Sequence, residues 1–156
     1  MRKGRGVSDE GREQHEEAPL VVIDPSAAER ERLAAAEQRI GAPVRALGPD
    51  GLHGEARALL ARARAVLVAW DLGTQLGLDL VEALAHDPAT RAVPVALAAD
   101  APTRTMAELA LRAGARALLV RPCDPDDLAR VLLRGPAPAS SAGAPKAPSD
   151  AQEATA

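Results

Sequence analysis

Four short apolar runs without polar alternation constrain the fold of this chain more than any other feature. They are LVVI (20–23), VLVAW (66–70), VPVALA (93–98) and ALLV (117–120). Strands that are apolar on both faces are typical of a parallel sheet between two layers of helices. A weaker run, APVRAL (42–47), contains a proline, which an edge strand tolerates. The sequence therefore predicts a parallel sheet of five strands with the 42–47 strand at an edge.

Helical patterns separate these runs and carry their own start and stop signals. Ser26 followed by Glu29 matches a capping box, and Gly41 stands where the same helix would end. Asp124 followed by Pro125 and two further acids is typical of a helix N-terminus. Three more helices are predicted at residues 51–63, 78–86 and 102–113.

The alternation of strand and helix along the chain predicts an α/β fold. Five such units most economically form a doubly wound, flavodoxin-like (βα)5 parallel sheet with strand order 2-1-3-4-5. In such sheets functional groups gather at the carboxyl ends of the strands, beside the point where the strand order reverses. Asp24, Asp71, Ala99 and Arg121 stand at or just after these ends, so we expect the functional site there.

Composition sets the domain limits. The length of 156 residues suits one domain. Residues 1–18 mix charges with glycine, and residues 135–156 are rich in alanine, proline and serine. Neither stretch offers apolar residues for a core, so both are predicted to be disordered tails around a folded domain at 19–134.

Composition also disfavours several classes of partner. A net charge of −3 argues against a broad nucleic-acid-binding surface, and Trp70 is the only aromatic residue that could stack on a base. Cys123 is the only cysteine, which excludes internal disulfides and cysteine-cluster metal sites. No apolar run approaches the roughly 20 residues that span a bilayer, and no signal-peptide pattern is present. We expect a cytoplasmic location, with no nucleic-acid or membrane partner.

The predicted site suggests a specific chemistry. Asp24 and Asp71 are expected near each other, and two carboxylates could bind Mg²⁺ through oxygen. Arg121 could reach the same pocket and pair with a carboxylate or a phosphate. An aspartate beside a divalent cation and a fixed positive charge is a candidate phosphoryl acceptor.

Simpler interpretations stay open for each of these residues. Asp71 could simply end a strand or cap a helix, and Asp24 could serve the turn before Pro25. Arg121 could form a salt bridge with either acid. The charged stretch from Glu29 to Arg32 is interpreted as a solvated helix face.

Several motifs resemble the receiver domains of bacterial two-component response regulators. They are VVIDPSAAE, VLVAWDL, VPVALAAD and AGARALLVRPCDPDDL, the last of which parallels the family's AGAxxYLxKPF. The resemblance covers about 19–134. It implies that Asp71 falls on the phosphorylated aspartate, Asp24 on a residue that ligates Mg²⁺, and Arg121 on the lysine that precedes proline.

The departures from the family pattern all concern chemistry. Ile23 stands where the family has one of two adjacent acids. Ala99 stands in place of a threonine or serine that forms a hydrogen bond with the phosphoryl group, and Leu118 stands in place of the aromatic switch residue. LGTQ replaces Met-Pro after Asp71.

The missing contacts matter because of their free energy. One hydrogen bond to a charged group contributes roughly 1.5–3 kcal/mol. Switching a population from mostly off to mostly on needs about 5.5 kcal/mol. We therefore expect a weakened Mg²⁺ site and impaired or absent phosphorylation switching.

The resemblance implies a function with one main alternative. The first hypothesis is that the chain is a stand-alone, non-enzymatic receiver-like domain of two-component (phosphorelay) signalling. It would act by contact with a histidine kinase or a downstream signalling protein through residues 102–134. The alternative is a working single-domain response regulator, phosphorylated at Asp71 by a histidine kinase. A nucleotide-binding enzyme is disfavoured, because IDPSAAE has neither G-x-G-x-x-G nor a P-loop.

Overall fold

The computed structural model describes residues 18–51 and 54–134, which contain a five-stranded parallel sheet of order β2-β1-β3-β4-β5. This confirms the predicted doubly wound α/β fold, including the position of the strand predicted at 42–47 at an edge. The predicted tails lie outside the described residues, apart from Ala18. The strands are β1 Leu20–Ile23, β2 Val44–Leu47, β3 Ala65–Ala69, β4 Val95–Ala99 and β5 Ala117–Val120.

The central strands are covered on both faces, which explains why they lack polar alternation. Every residue of β1, β3 and β4 is buried. Successive residues of β1 enter different clusters, since Val21 and Ile23 belong to one core and Leu20 and Val22 to the other. Because neighbouring side chains of a strand point to opposite faces, each face of the sheet has its own apolar core.

Helices divide between these two faces. They are α1 Ala27–Ala34, α2 Glu37–Ile40, α3 Glu55–Arg62, α4 Gly77–His86, α5 Arg104–Ala113 and α6 Pro125–Leu128, which continues as a π-helical turn, Ala129–Leu133. Residues of α3, α4 and α5 pack in the first core, whereas those of α1, α2 and α6 pack in the second. Within the described ranges, no helix is long and apolar enough to cross a bilayer.

The helix after Ser26 is broken, where the sequence predicted one continuous helix. α1 ends at Ala34 and α2 begins at Glu37. The carboxylate of Glu37 accepts a hydrogen bond from the Val44 N–H at 2.8 Å, which fixes α2 against the start of β2. The predicted stop at Gly41 is confirmed, because Gly41 has a φ of 90°, a conformation that favours glycine.

The other predicted helices have shifted limits. The helix predicted at 51–63 begins at Glu55, after a 3₁₀ turn at Pro49–Gly51, and residues 52–53 lie outside the described residues. Those predicted at 78–86 and 102–113 are found at Gly77–His86 and Arg104–Ala113. The N-cap at Asp124 is confirmed, since its carboxylate accepts the Asp126 N–H at 2.8 Å.

The capping box at the start of α1 is only half formed. The Ser26 hydroxyl accepts the Glu29 N–H at 3.2 Å, as predicted. The Ser26 N–H, however, donates to Asp24 Oδ1 at 2.8 Å and not to the Glu29 side chain. The Glu29 carboxylate is therefore available for contacts elsewhere in the fold.

Candidate functional site

The predicted functional positions all lie at the carboxyl edge of the sheet. Asp24 directly follows β1, Ala99 is the last residue of β4, and Arg121 directly follows β5. Asp71 stands two residues beyond the end of β3, because Trp70 intervenes. Parallel strands bring these ends to one edge of the sheet, as the sequence predicted.

Asp24 and Arg121 form the central contact of this edge. Arg121 Nε donates to Asp24 Oδ2 at 3.1 Å, and Arg121 Nη2 donates to Asp24 Oδ1 at 3.0 Å. Asp24 is only 3% exposed. Two parallel bonds between a guanidinium and a carboxylate make one of the stronger ion-pair geometries. The direct salt bridge, one of the interpretations left open for Arg121, is the arrangement found.

Two further residues join this pair, and sequence reasoning missed both. Arg121 Nη1 donates to Asp100 Oδ1 at 2.6 Å, and Arg30 Nη1 donates to the backbone carbonyl of Asp24 at 2.7 Å. Asp100 directly follows Ala99, so the strand-end rule that selected Asp24 could have found it. Arg30 carries no comparable signal, because its role depends on how α1 packs beside β1.

The electrostatics of Arg121 follow from these contacts. Burial lowers the pKa of the Arg121 guanidinium, but the charges of Asp24 and Asp100 outweigh burial, so the pKa lies above its ordinary value. The guanidinium therefore stays protonated at any physiological pH. Its charge is a fixed feature of the edge.

Asp71 has a different environment. Its side chain is exposed, and Oδ1 accepts the N–H of Gly73 at 2.8 Å, a local turn bond that aspartate commonly makes. The following loop closes through a bond from the Leu72 N–H to the Gln75 carbonyl at 3.0 Å. In the part of the chain that the structure describes, Asp71 forms no ion pair. The structure thus joins Asp24 and Arg121 and leaves Asp71 outside the pair.

Gly77 holds the loop after Asp71 tightly against β3. Its N–H donates to the Trp70 carbonyl at 2.6 Å. A Cβ at this position would lie 2.0 Å from the Ala69 carbonyl oxygen, which no side chain tolerates. Sequence reasoning missed this role, because the close approach depends on how the loop folds back against β3.

The residues present do not fit Mg²⁺ in the arrangement observed. Both Asp24 carboxylate oxygens accept bonds from Arg121, and Oδ1 also accepts the Ser26 N–H. Among residues 18–51 and 54–134, no group of three or more His, Cys, Asp or Glu side chains is placed to hold a metal ion. A hard cation needs several free oxygen ligands, and here Arg121 occupies the most buried of them.

The prediction that Glu29 to Arg32 form a solvated helix face is wrong for Glu29. It is buried, and its carboxylate accepts bonds from Arg32 Nε at 3.0 Å, from Arg32 Nη2 at 2.8 Å and from the Cys123 N–H at 3.2 Å. Burial raises the pKa of Glu29, but the bonds from Arg32 and Cys123 outweigh it, so the pKa lies below its usual value. This contact ties α1 to the segment that follows Arg121.

Cys123 is a buried core residue. Its side chain belongs to the second core, and burial, assisted by the nearby charge of Glu29, raises the pKa of the thiol to about 12. The thiolate is the reactive form of cysteine. The thiol is thus protonated at neutral pH, which argues against a reactive role.

Comparison with known proteins identifies the fold. No protein-family model and no curated protein matches the chain. It is similar to the chemotaxis response regulator CheY4 of Vibrio cholerae, with 22% identity, a TM-score of 0.63, and coverage of 75% of this chain and 97% of that one. It is also similar to a response regulator receiver protein from Pseudomonas putida, with 22% identity, a TM-score of 0.61, and coverage of 72% and 93%.

A third similar structure is a response regulator from Burkholderia pseudomallei that contains a phosphorylated aspartic acid, a calcium ion and citrate. It shares 22% identity with a TM-score of 0.62, and the match covers 73% of this chain and 65% of that one. Together these structures establish that the chain has the fold of response regulator receiver domains.

Proposed function

We propose that this chain is a receiver-like domain of two-component (phosphorelay) signal transduction that acts by protein–protein contact without a phosphorylation-driven switch. The observation that carries the proposal is the bidentate pair between Asp24 and Arg121. It neutralises the buried acid of the edge with a side chain of the chain itself. The receiver fold supports the signalling role, and the pair supports the lack of a switch.

The surroundings of Asp71 agree with this proposal. A phosphoryl group on Asp71 would need positive charge and hydrogen-bond donors to stabilise it. Arg121 is already bonded to Asp24 and Asp100, and Ala99 has no hydroxyl to donate. Leu118 also lacks the ring that the family moves when it switches. Each missing contact removes part of the free energy that would separate two states.

The proposed contact surface is the stretch of about 102–134, which comprises α5, β5 and α6. Leu111 and Val120 are 58% and 57% exposed, and Leu109 is also exposed. Exposed large apolar side chains are candidates for contact with another protein. The proposed partner is a histidine kinase or a downstream signalling protein in the cytoplasm, with no nucleic acid or membrane involved.

The test is an NMR comparison of the full chain with and without Mg²⁺ and beryllofluoride, or Mg²⁺ and acetyl phosphate. We expect no widespread change of amide chemical shifts. A broad change across residues 102–134 that disappears in Asp71→Asn would contradict the proposal.

The second candidate is a working response regulator phosphorylated at Asp71 by a histidine kinase. The observation that favours it is the exposed Asp71 carboxylate beyond the end of β3. The similar structure from Burkholderia pseudomallei carries a phosphorylated aspartic acid. This candidate requires a hydroxylamine-sensitive label that Asp71→Asn abolishes. A label that persists in Asp71→Asn would exclude Asp71 as the acceptor.

A further inference from the structure

We propose that the Arg121 guanidinium is the resident cation of the carboxyl edge and makes the site independent of divalent metal ions. The inference deepens the proposed function and rests on it for the role of the site. Its basis is the disagreement between the receiver fold and a buried carboxylate whose two oxygens are both already hydrogen-bonded to the chain itself.

Arg121 connects the loops that follow three different strands of the sheet. It follows β5, and its three hydrogen bonds reach Asp24 after β1 and Asp100 after β4. β1 and β5 are not neighbours in the sheet, because β3 and β4 lie between them. A single side chain therefore ties together three strand ends and supplies the positive charge between them.

Burial makes this pairing necessary for Asp24. A buried carboxylate is costly unless it is paired and hydrogen-bonded. Asp24 is 3% exposed, and its oxygens accept bonds from Arg121 and the Ser26 N–H. The hydrogen-bonding needs of this carboxylate are met within the chain, so its burial does not depend on a bound metal.

A divalent cation would also meet positive charge at this position. Arg121 occupies the carboxylate, and Arg30 occupies the backbone carbonyl of the same residue. An incoming metal would have to displace the Arg121 guanidinium and would also meet the positive charge of Arg30, which repels a cation. The arrangement of the two arginines therefore opposes metal binding at Asp24.

Arginine suits this role better than lysine. Its planar fork places two nitrogens on one carboxylate and leaves a third for another acceptor. Arg121 uses Nε and Nη2 for Asp24 and Nη1 for Asp100. A lysine has one nitrogen, so it would leave part of the Asp24 carboxylate unbonded.

The experiment is a titration of the full chain with MnCl₂ and MgCl₂ at constant ionic strength, without any phosphoryl donor. Electron paramagnetic resonance measures bound Mn²⁺, and thermal unfolding measures the effect of Mg²⁺. The variants are Asp24→Asn, Arg121→Gln, the double variant with both changes, and the control Arg130→Gln. Arg130 pairs with Asp127 on an exposed helix surface, so its loss removes an equal charge elsewhere.

We expect no saturable metal binding by the wild type or by Arg130→Gln, and clear binding by Arg121→Gln. A minor state is typically populated at about 0.1–10%. If the pair is open to that extent, removing Arg121 raises the apparent metal affinity about ten- to a thousand-fold. The added Asp24→Asn change should abolish the gain.

Two results would overturn the inference. One is saturable Mn²⁺ binding by the wild type that Asp24→Asn removes, which needs no Arg121 variant. The other is a folded Arg121→Gln that binds no metal. Should Arg121→Gln not fold, Arg121→Lys replaces it, with a smaller gain expected and the same absence of gain as the contrary result.

The inference and the proposed function fail separately. Metal binding by the wild type without any spectral response to beryllofluoride would overturn only the inference. A widespread response to beryllofluoride would overturn the proposed function, whatever the metal titration of the Arg121 variants shows.

Discussion

Asp24 and Asp71 lie at the same edge of one sheet, yet their environments differ in every respect that matters for chemistry. Asp24 is buried and held by a bidentate arginine. Asp71 is exposed and bonds to the backbone of its own loop. A position at the end of a strand brings an acid to this end of the sheet. The neighbouring residues then determine whether its carboxylate is paired within the fold or remains exposed to solvent.

The largest difference in stability between the two acids should appear when the partner of Asp24 is removed. Arg121→Gln leaves a buried carboxylate without its counter-charge, and breaking such pairs costs about 3–5 kcal/mol. We expect about 3 kcal/mol, because the Arg121 side chain is 20% exposed. Urea unfolding measures the loss. Asp71→Asn is the matched change at the exposed acid and should stay within about 0.5 kcal/mol. Equal losses in both variants would show that the two acids do not differ.

The loop after Asp71 offers the next test. Gly77→Ala places a Cβ against the Ala69 carbonyl oxygen, and overpacking of this kind costs about 1–3 kcal/mol. Gly73→Ala meets no atom within 4 Å but keeps a φ of 89°, so we expect about 1 kcal/mol from backbone strain alone. Thermal unfolding compares the two. A larger loss for Gly73→Ala would mean that the loop is not set by the contact between Gly77 and β3.

A smaller effect concerns acid stability near Arg121. The folded-state pKa of Glu29 lies below its ordinary value of 4.5, so the unfolded chain binds the proton more tightly. The stabilisation is therefore complete above about pH 4.5 and is lost as the pH falls through the lower folded-state pKa. We expect Glu29→Gln to flatten this part of the unfolding profile. Glu31→Gln, at an exposed position of α1, controls for the change of charge.

The smallest expected signal is the reactivity of Cys123. Its thiol is 1% exposed with a pKa of about 12, so alkylation by iodoacetamide at neutral pH should be negligible in the folded protein. Labelling should appear only as the chain unfolds in urea. Rapid labelling of the native protein would show that the contact between α1 and the segment after Arg121 opens readily.

The fold was predictable from sequence because its signals are local. Apolar runs on both faces, Pro43 at the edge strand and Gly41 at a helix end each act through their immediate neighbours. Those signals predicted which segments form strands and helices, and the rules for crossover connections then predicted the strand order. They could not give the break between Ala34 and Glu37, since it depends on a bond from Glu37 to Val44 across a turn.

The site was less predictable because its contacts are remote in sequence. Asp24 and Arg121 are 97 positions apart, and Glu29 and Cys123 are 94 apart. The strand-end rule correctly brought Asp24 and Arg121 to one edge. It could not determine which acid Arg121 would pair with, nor that the Glu29 side chain would be buried. Both outcomes depend on differences of a few ångströms in where the side chains end.

The pair between β1 and β5 also has a consequence for the order of folding. Two strands separate its partners in the sheet, so we expect the contact to form after the intervening strands have assembled. Bringing such distant segments together carries a loop-closure cost that earlier contacts must offset. An interaction completed after the transition state mainly slows unfolding. We therefore expect loss of the Arg121 side chain to speed unfolding more than it slows folding, so that the pair mainly lengthens the lifetime of the folded domain.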